Sequence, residues 1–489
     1  MESPYRNRLG RAACTLLFAA LWCTALPVQA QIAEFEQVYE NIEFNLPLGI
    51  RFPDDGTNKV YIVERAGIVK VLDNEPDVET SSVFLDISER FDTAPAGDLF
   101  AIEFHPEYAD NGYFFAKYKL QNPEREVLSR FSRSVSDPFV ADPESEVILL
   151  SLETPGNTQN HYAGDLSFGI DGYLYVPTGD GGTYLDAAGN SQDLSVLLGK
   201  VLRLDVDNPS GELNYGIPPN NPYVGNDQGW REEVFARGLR NPWRLTTDRL
   251  TGDVWVGNVG ESTWEEVEYV TAGSNLGWPI MEGPVCAPFG PPECDQSGLD
   301  LPVWSYTHET GVSITGGYVY RGSDIPALYG QYVFSDFGTF VIWRIERDNP
   351  LSAELLLSDA FNVTTFGEDP SGELYFNRFF QGTIYKITPG PGATDTTSSG
   401  PSENGVALFA FPNPARGTTN LRFSSEAGTV RLEVYDILGR RVATLFDEPV
   451  GPGAERTISF DTRSLAPGVY LARLEARGEV VTKRIAVVQ

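Results

Sequence analysis

The sequence predicts an all-β chain: a six-bladed β-propeller followed by a small C-terminal β-sandwich. Three observations carry that reading. Gly (48) and Pro (34) are abundant and aromatic residues make up 12% of the 489 positions, a balance that favours short strands and tight turns over helices. An Asp, Asn or Gly turn followed by a short aromatic or β-branched strand recurs six times before residue 388, at the roughly 40–80-residue spacing of multi-stranded blades. After a Pro/Gly/Ser/Thr-rich break, the last eighty or so residues alternate apolar and polar positions as strands of a second, smaller unit.

Residues 1–30 read as a signal peptide. Arg6, Arg8 and Arg11 give a positive start, Ala12 to Leu26 an apolar run, and Val28-Gln29-Ala30 a small-residue cleavage site, so the mature chain is expected to begin near Gln31. The apolar run is too short for a permanent membrane span, and no later stretch is long enough. Net charge is −32, which argues against nucleic acid and anionic membrane surfaces as partners, since phosphate binding needs clustered Lys and Arg.

Residues 31–388 are the expected propeller. The six turn-and-strand units are Asp55-Gly56 into Val60–Val63, Asn111-Gly112 into Tyr113–Phe115, Asp171-Gly172 into Tyr173–Val176, Thr251-Gly252 into Val254–Val256, Tyr329-Gly330 into Tyr332–Phe334, and Ser371-Gly372 into Leu374–Phe376. Apolar–basic–apolar strands follow several of them: Ile68–Leu72, Val201–Leu204, Val341–Ile345 and Thr383–Ile387. Blades surround a channel whose mouth collects loops distant in sequence. The long connections Asp207–Glu232 and Met281–Ser305 are expected at its rim.

The third unit carries the clearest chemistry. Asp171-Gly172 is a hairpin turn signal, with Leu166–Ile170 and Tyr173–Thr178 as its arms. His161 lies 10 residues before Asp171 and Asp180 lies 9 after it, so a hairpin brings imidazole and carboxylate together at its open end. A carboxylate beside a His fixes its tautomer and builds a general base; loop amides satisfied by polar side chains are the plainer alternative. His105, before Pro106, reads as structural, and His308 as a loop residue that could line the mouth.

Pro242 ends any regular element, so Arg240 and Asn241 project from a loop. An Arg there could be a salt bridge to Asp180 or could stabilise developing negative charge. The turn Asn258-Val259-Gly260-Glu261 offers carbonyls to a hard cation such as Ca²⁺, or is an ordinary turn. With Cys14 and Cys23 in the signal peptide, Cys286 and Cys294 remain, and in an exported chain this close pair in a Pro/Gly-rich loop is most simply a disulfide. A metal reading is weaker, with no second Cys or His cluster nearby. Residues 389–405 are the linker, and 406–489 the expected sandwich, with strands at Leu421–Phe423, Val430–Tyr435, Val469–Leu474 and Thr482–Val488.

Taken together, Asn160-His161 to Asp180, Leu197–Arg203, Gly238–Trp243 and Ser274–Pro279 resemble the soluble, pyrroloquinoline-quinone (PQQ)-dependent aldose (glucose/sorbosone) dehydrogenases over residues 35–388. The resemblance implies a six-bladed propeller with PQQ across the mouth and Ca²⁺ bound to it, a sugar substrate and an external electron acceptor. It implies His161 as the base for the C1 hydroxyl proton, Asp180 as its partner, Arg240 facing the reactive carbonyl, Asn241 as a quinone contact, and Gly260 and Glu261 as backbone ligands of Ca²⁺. Where glucose-oxidising members carry further Lys, Arg or Gln anchors for the quinone carboxylates, this chain reads Ser335–Thr339, Asn362–Thr364 and Ala94–Asp98. Ser313–Gly322 and the Cys286/Cys294 loop look more like the Hedgehog-interacting-protein-like branch, with Arg321 a candidate substitute anchor. A non-catalytic propeller binding glycan or protein at its mouth, and a Ca²⁺-dependent lactonase-like hydrolase, are the competing readings.

Phe411-Pro412-Asn413-Pro414, Val434–Arg440 and Leu465–Tyr470 are similar to the type A sorting domain of the type IX secretion system. That implies a bacterial protein recognised by the outer-membrane secretion machinery and then released or attached at the cell surface.

Overall fold

The computed structural model describes residues 32–487 apart from 92–97, 121–122, 155–160, 291–292, 347–352, 392–406, 426, 437–439, 452–453, 464, 466–467 and 477–478. The expected signal peptide, the 94–97 stretch, Asn160 and most of the linker therefore lie outside the described residues, as do parts of the sorting motifs. The fold is all-β; among the described residues helix is confined to one turn at Tyr108–Asn111 and three short 3-10 turns.

Six four-stranded antiparallel sheets follow one another along the chain. The first runs Pro47–Arg51, Lys59–Glu64, Ile68–Asp73 and Ser82–Asp86; the second Asp98–Phe104, Tyr113–Leu120, Arg125–Arg133 and Ala141–Glu153. The third runs Ser167–Phe168, Leu174–Thr178, Lys200–Leu204 and Val234–Arg237; the fourth Pro242–Thr247, Val254–Asn258, Trp264–Val270 and Trp304–Thr307. The fifth runs Ile314–Val319, Tyr332–Asp336, Val341–Ile345 and Glu354–Ser358. The sixth, Phe366–Glu368, Leu374–Arg378 and Thr383–Pro389, takes its outer strand from the N-terminus, Ala33–Val38, with Ala33 opposite Pro389 and Val38 opposite Ile384. That last strand extends one residue past the expected 388 because Pro389 is paired.

Every unit expected from the turn pattern is a strand here. The reason is visible in the burial: Lys59–Glu64, Leu174–Thr178, Val254–Asn258 and Tyr332–Asp336 are apolar on both faces because each sheet is covered by a neighbour on each side. Six apolar clusters fill those gaps. Tyr61 and Phe104 belong to the cluster between the first and second sheets, Phe115 and Leu174 between the second and third, and Tyr175 and Leu245 between the third and fourth. Trp255 and Phe334 join the fourth to the fifth, Tyr320 and Phe376 the fifth to the sixth, and Ile50 and Tyr375 the sixth back to the first.

The innermost strands carry charge inward. Arg244, fully buried, donates through Nε to Thr364 O at 2.9 Å and also to Gly164 O and Leu48 O, so one guanidinium ties the fourth sheet to the first and to the segments that lead into the third and sixth. Arg51 pairs with Glu103 at 2.9 Å and with Asp165.

The C-terminal strands form a seven-stranded hydrogen-bonded order: Arg441–Val450, Gly428–Asp436, Gly468–Ala476, Glu479–Val487, Ala407–Arg416, Thr418–Ser425 and Ala454–Asp461. Among the described residues the two halves join at the parallel pairing of Ala415 with Val487. Leu421 and Phe423 of one half share a core with Val430, Leu432 and Leu474 of the other.

Candidate functional site

The hairpin of the third sheet opens at the end where Thr178 pairs with Lys200. Its ladder is short: Ser167 opposes Tyr175 and Phe168 opposes Leu174, after which the first arm leaves the sheet. That arm turns through left-handed conformations at His161 (φ 64°) and Ala163 (φ 56°), which cost a non-glycine residue roughly 1–2 kcal/mol each. Gly179 lets it approach: a Cβ there would sit 1.8 Å from His161 O.

The imidazole and carboxylate meet as the count from Asp171 expects. His161 Nδ1 lies 2.7 Å from Asp180 Oδ1. Asp180 is fully buried; the same oxygen accepts Gly182 N–H at 2.8 Å, and Oδ2 accepts the Trp278 indole N–H at 3.0 Å. With Nδ1–H given to the carboxylate, Nε2 is the acceptor left for a ligand.

Arg240 joins this group through its backbone: its carbonyl accepts Asp180 N–H at 2.9 Å. The salt bridge weighed between Arg240 and Asp180 does not form. The guanidinium pairs with Glu261, Nε at 3.0 Å and Nη2 at 2.9 Å, donates from Nη1 to Val259 O at 3.1 Å, and lies 5.7 Å over the Trp278 ring. Asn258 Oδ1 accepts the N–H groups of both Arg240 and Asn241 at 3.2 Å, and Asn241 Oδ1 accepts Ala163 N–H at 3.4 Å. Thus His161, Asp180, Arg240, Asn241 and Glu261 are brought into one connected group.

The Gly260–Glu261 loop is shaped from beneath by Glu282. Its Oε1 accepts the successive N–H groups of Glu261, Ser262, Thr263 and Trp264 at 2.8–3.2 Å. Gly260 is required by crowding, since a Cβ would meet Trp264 O at 1.7 Å. Four amides turned inward leave the loop's carbonyls to face elsewhere. Among the described residues no group of three or more His, Cys, Asp or Glu side chains is arranged around a metal, so a cation here would depend on those carbonyls.

Beside it, His308 Nε2 lies 2.9 Å from Glu265 Oε1, and burial pushes the Glu265 carboxyl up to about 9. His105 is structural, as expected: it is buried, its Nδ1 accepts Glu107 N–H at 3.0 Å, and its Nε2 meets Asp207 at 3.0 Å. Cys286 and Cys294 are bonded, Cα–Cα 5.7 Å, closing the loop after the hairpin Met281–Glu282/Val285–Cys286.

Two expectations are corrected. The connection Asp207–Glu232 leaves Leu204, which pairs with Leu174 at the Asp171 end of the sheet, so it lies at the far end from His161. Arg321 is not at the mouth: it pairs with Asp248, Nε–Oδ1 2.8 Å, just past the end of Pro242–Thr247 remote from Asn241.

The positions where further quinone anchors would stand are spent on the fold. Ser335 Oγ donates to Val341 O, Asn362 Nδ2 to Phe337 O, and Thr364 Oγ1 to Pro47 O. Nearby, Leu48, Phe100, Tyr162 and Phe379 form a buried apolar cluster, with Trp243 and Phe337 packed against it. The described residues therefore fit the reacting side of a quinone site, with a carboxylate-held imidazole, a guanidinium and loop carbonyls. Other cations near the anchor positions are paired as well: Arg65 with Asp98 at 2.6 Å, and Lys119 with Glu124 at 2.8 Å.

Asn258, Trp278 and Glu282 carry the geometry and had no assigned role from sequence. Asn258 had a signal in its place in the Asn258–Glu261 turn and Trp278 in its place within Ser274–Pro279; Glu282 had none.

Residues 44–384 match the family model described as glucose/sorbosone dehydrogenase, and residues 410–488 match a secretion system C-terminal sorting domain. The HIPL2 protein of Arabidopsis thaliana is 31% identical over 78% of this chain and 67% of its own length. Human Hedgehog-interacting protein is 28% identical over 70% of this chain, which spans about half (51%) of that protein. A crystal structure of glucose dehydrogenase aligns with a TM-score of 0.60 at 21% identity, over 72% of this chain and 98% of that one. The PQQ-bound aldose sugar dehydrogenase of Streptomyces coelicolor aligns with 0.56 at 19% identity, over 73% and 98%. The chain belongs to the glucose/sorbosone dehydrogenase family and ends in a secretion-system C-terminal sorting domain.

Proposed function

We propose that the chain is an exported quinoprotein oxidoreductase that oxidises the C1 hydroxyl of an aldose. The six sheets, packed in a ring of successive clusters, are then the blades of a six-bladed propeller over residues 31–388, and 406–489 a β-sandwich read by the outer-membrane secretion machinery. The observation that carries the proposal is the His161–Asp180–Trp278–Arg240 group. Asp180 is held from both sides, by imidazole at 2.7 Å and indole at 3.0 Å, and so fixes His161 with Nε2 toward the ligand.

In this reading His161 Nε2 takes the proton of the C1 hydroxyl. Bound PQQ supplies the two-electron acceptor, so that aldose and quinone become aldonolactone and quinol, reoxidised by an external electron acceptor. Arg240 offers positive charge where the acceptor oxygen gains negative charge. Asn241 borders the same space, and the carbonyls of Gly260 and Glu261 are the ligands for a quinone-bound Ca²⁺. Reconstitution with PQQ and Ca²⁺, followed by dye reduction with a panel of aldoses, tests it. Silence with every sugar, or an unchanged rate in His161→Ala, overturns it.

A second reading is favoured by the missing cationic anchors at Ser335–Thr339 and Asn362–Thr364: a non-catalytic propeller that binds glycan or protein at its mouth. Calorimetry distinguishes the two, since this reading expects glycan or protein uptake without quinone uptake. The lactonase-like alternative needs carboxylates grouped around a metal, and none are so grouped among the described residues.

A further inference from the structure

Lys117 belongs to Tyr113–Leu120, in the sheet before the one that carries His161. Its side chain is enclosed, 1% exposed, and its ammonium donates to three carbonyls: Tyr162 O at 2.7 Å, Ala163 O at 3.2 Å and Pro177 O at 2.6 Å. Tyr162 and Ala163 lie on the arm that presents His161. Pro177 lies on the facing strand, three residues before Asp180. A single cation thus bridges both arms directly behind the imidazole–carboxylate contact.

The other ties of the His161 arm run to other sheets: Ala163 N–H to Asn241 Oδ1, Gly164 O to Arg244 and Asp165 to Arg51, whereas Lys117 reaches both arms. The ladder ends at Ser167, and His161 and Ala163 sit in the left-handed region that non-glycine residues avoid. A buried ammonium is costly unless its protons are all used; here three carbonyls use them, and Glu126 Oε2, itself buried, lies 3.3 Å away. An aliphatic residue would fill the same space between the sheets without that cost, so the lysine is explained by what it gathers.

We propose that Lys117 is a positioning residue for His161, holding the hairpin arms at the separation that lets Nδ1 meet Asp180. Its kinetic consequence rests on reading His161 as the base; its structural consequence does not. Glu126, buried beside it, shares the same enclosed space, so the two are tested together.

The test uses the full mature chain, ¹⁵N-labelled, with Lys117→Met and Glu126→Gln introduced together so that no unpaired charge stays buried. The chain holds three histidines, so imidazole signals are assignable by His161→Gln and His308→Gln. Expected is cooperative unfolding as in the parent, unchanged His105 and His308 signals, and loss of the downfield Nδ1–H resonance of His161. In the quinone-loaded protein kcat falls about 10²-fold with KM nearly constant, the scale of a misplaced catalytic group. A folded double variant that keeps the His161 resonance overturns the proposal. If the double variant does not fold, Lys117→Arg is measured in its place, and a His161 resonance unaltered by the longer, forked cation overturns it equally. A parent protein inactive with every aldose overturns the dehydrogenase reading alone, because the resonance still decides the role of Lys117.

Discussion

Glu261 holds Arg240 with one carboxylate oxygen, accepting Nε at 3.0 Å and Nη2 at 2.9 Å, while Nη1 reaches Val259 O. The guanidinium is held 5.7 Å over the Trp278 ring. That arrangement needs the planar fork of Arg: a Lys keeps the charge but loses two of the three bonds. Arg240→Lys is therefore expected to lower kcat about 10²-fold, the cost of one displaced stabilising donor, with a much smaller change in sugar KM. Steady-state kinetics of the reconstituted protein measure it; equal losses in 1/KM and none in kcat would make Arg240 a binding contact only.

Asp180 accepts three hydrogen bonds, from His161 and Gly182 on Oδ1 and from Trp278 on Oδ2. Asp180→Asn keeps the size but brings an N–H where one of those donors points, so either the imidazole tautomer flips or the indole bond breaks. A loss of about 10²–10⁴-fold in kcat is expected, as when a catalytic imidazole is left in the wrong tautomer. Trp278→Phe, which removes only the indole N–H, is expected to cost about 1–3 kcal/mol of stability by stranding Asp180 Oδ2. Thermal melts and rates on the two variants separate orientation of His161 from support of the fold.

Much of this was legible in the chain and the rest was not, for a physical reason. Turn chemistry and two-residue alternation are local, so the strands around Asp55-Gly56, Asp171-Gly172 and Ser371-Gly372 could be placed, and counting from Asp171 brought His161 to Asp180. Contacts between sheets have no local signature. Nothing near Glu282 announces that it gathers four amides twenty residues earlier, and nothing near Arg240 says that Glu261 rather than Asp180 takes its charge. Strand polarity explains the misplaced rim: Asp207–Glu232 is long, but it joins a third strand to a fourth at the end remote from His161.

Buried carboxyls give the fold a pH dependence whose sign is fixed. Burial pushes Glu103, Glu126, Glu266 and Glu368 up to about 7, and Glu265 to about 9. With folded values above the unfolded ones, the native state binds more protons between about pH 4.5 and 7, so stability is highest on the acid side and falls as pH rises through that window. Self-repulsion in a chain of net charge −32 acts in the same direction. Lys200, pushed down to about 7 by burial, works the opposite way only above that pH. Melting scans should show Tm falling from pH 5 to pH 7, and Glu265→Gln should regain several degrees at pH 8. A Tm that climbs steadily from pH 5 to 7 would contradict the neutral carboxyls.

The Cys286–Cys294 bond should matter to a loop that contains neither cysteine. It closes the chain just after Val285–Cys286, the strand paired with Met281–Glu282, and Glu282 is the residue that collects the amides of Glu261, Ser262, Thr263 and Trp264. Loop-closure entropy for a link of this length is worth about 2–3 kcal/mol, felt locally because the six sheets have their own cores. Cys286→Ser with Cys294→Ser is therefore expected to leave the main unfolding transition nearly in place. Hydrogen exchange should accelerate at two separate stretches, residues 281–295 and the Glu261–Trp264 amides, and Ca²⁺ affinity measured by calorimetry should weaken about tenfold if the Gly260 and Glu261 carbonyls hold the ion. Faster exchange at 281–295 alone would mean that Glu282 keeps its amides without the disulfide, and that the two loops are not coupled.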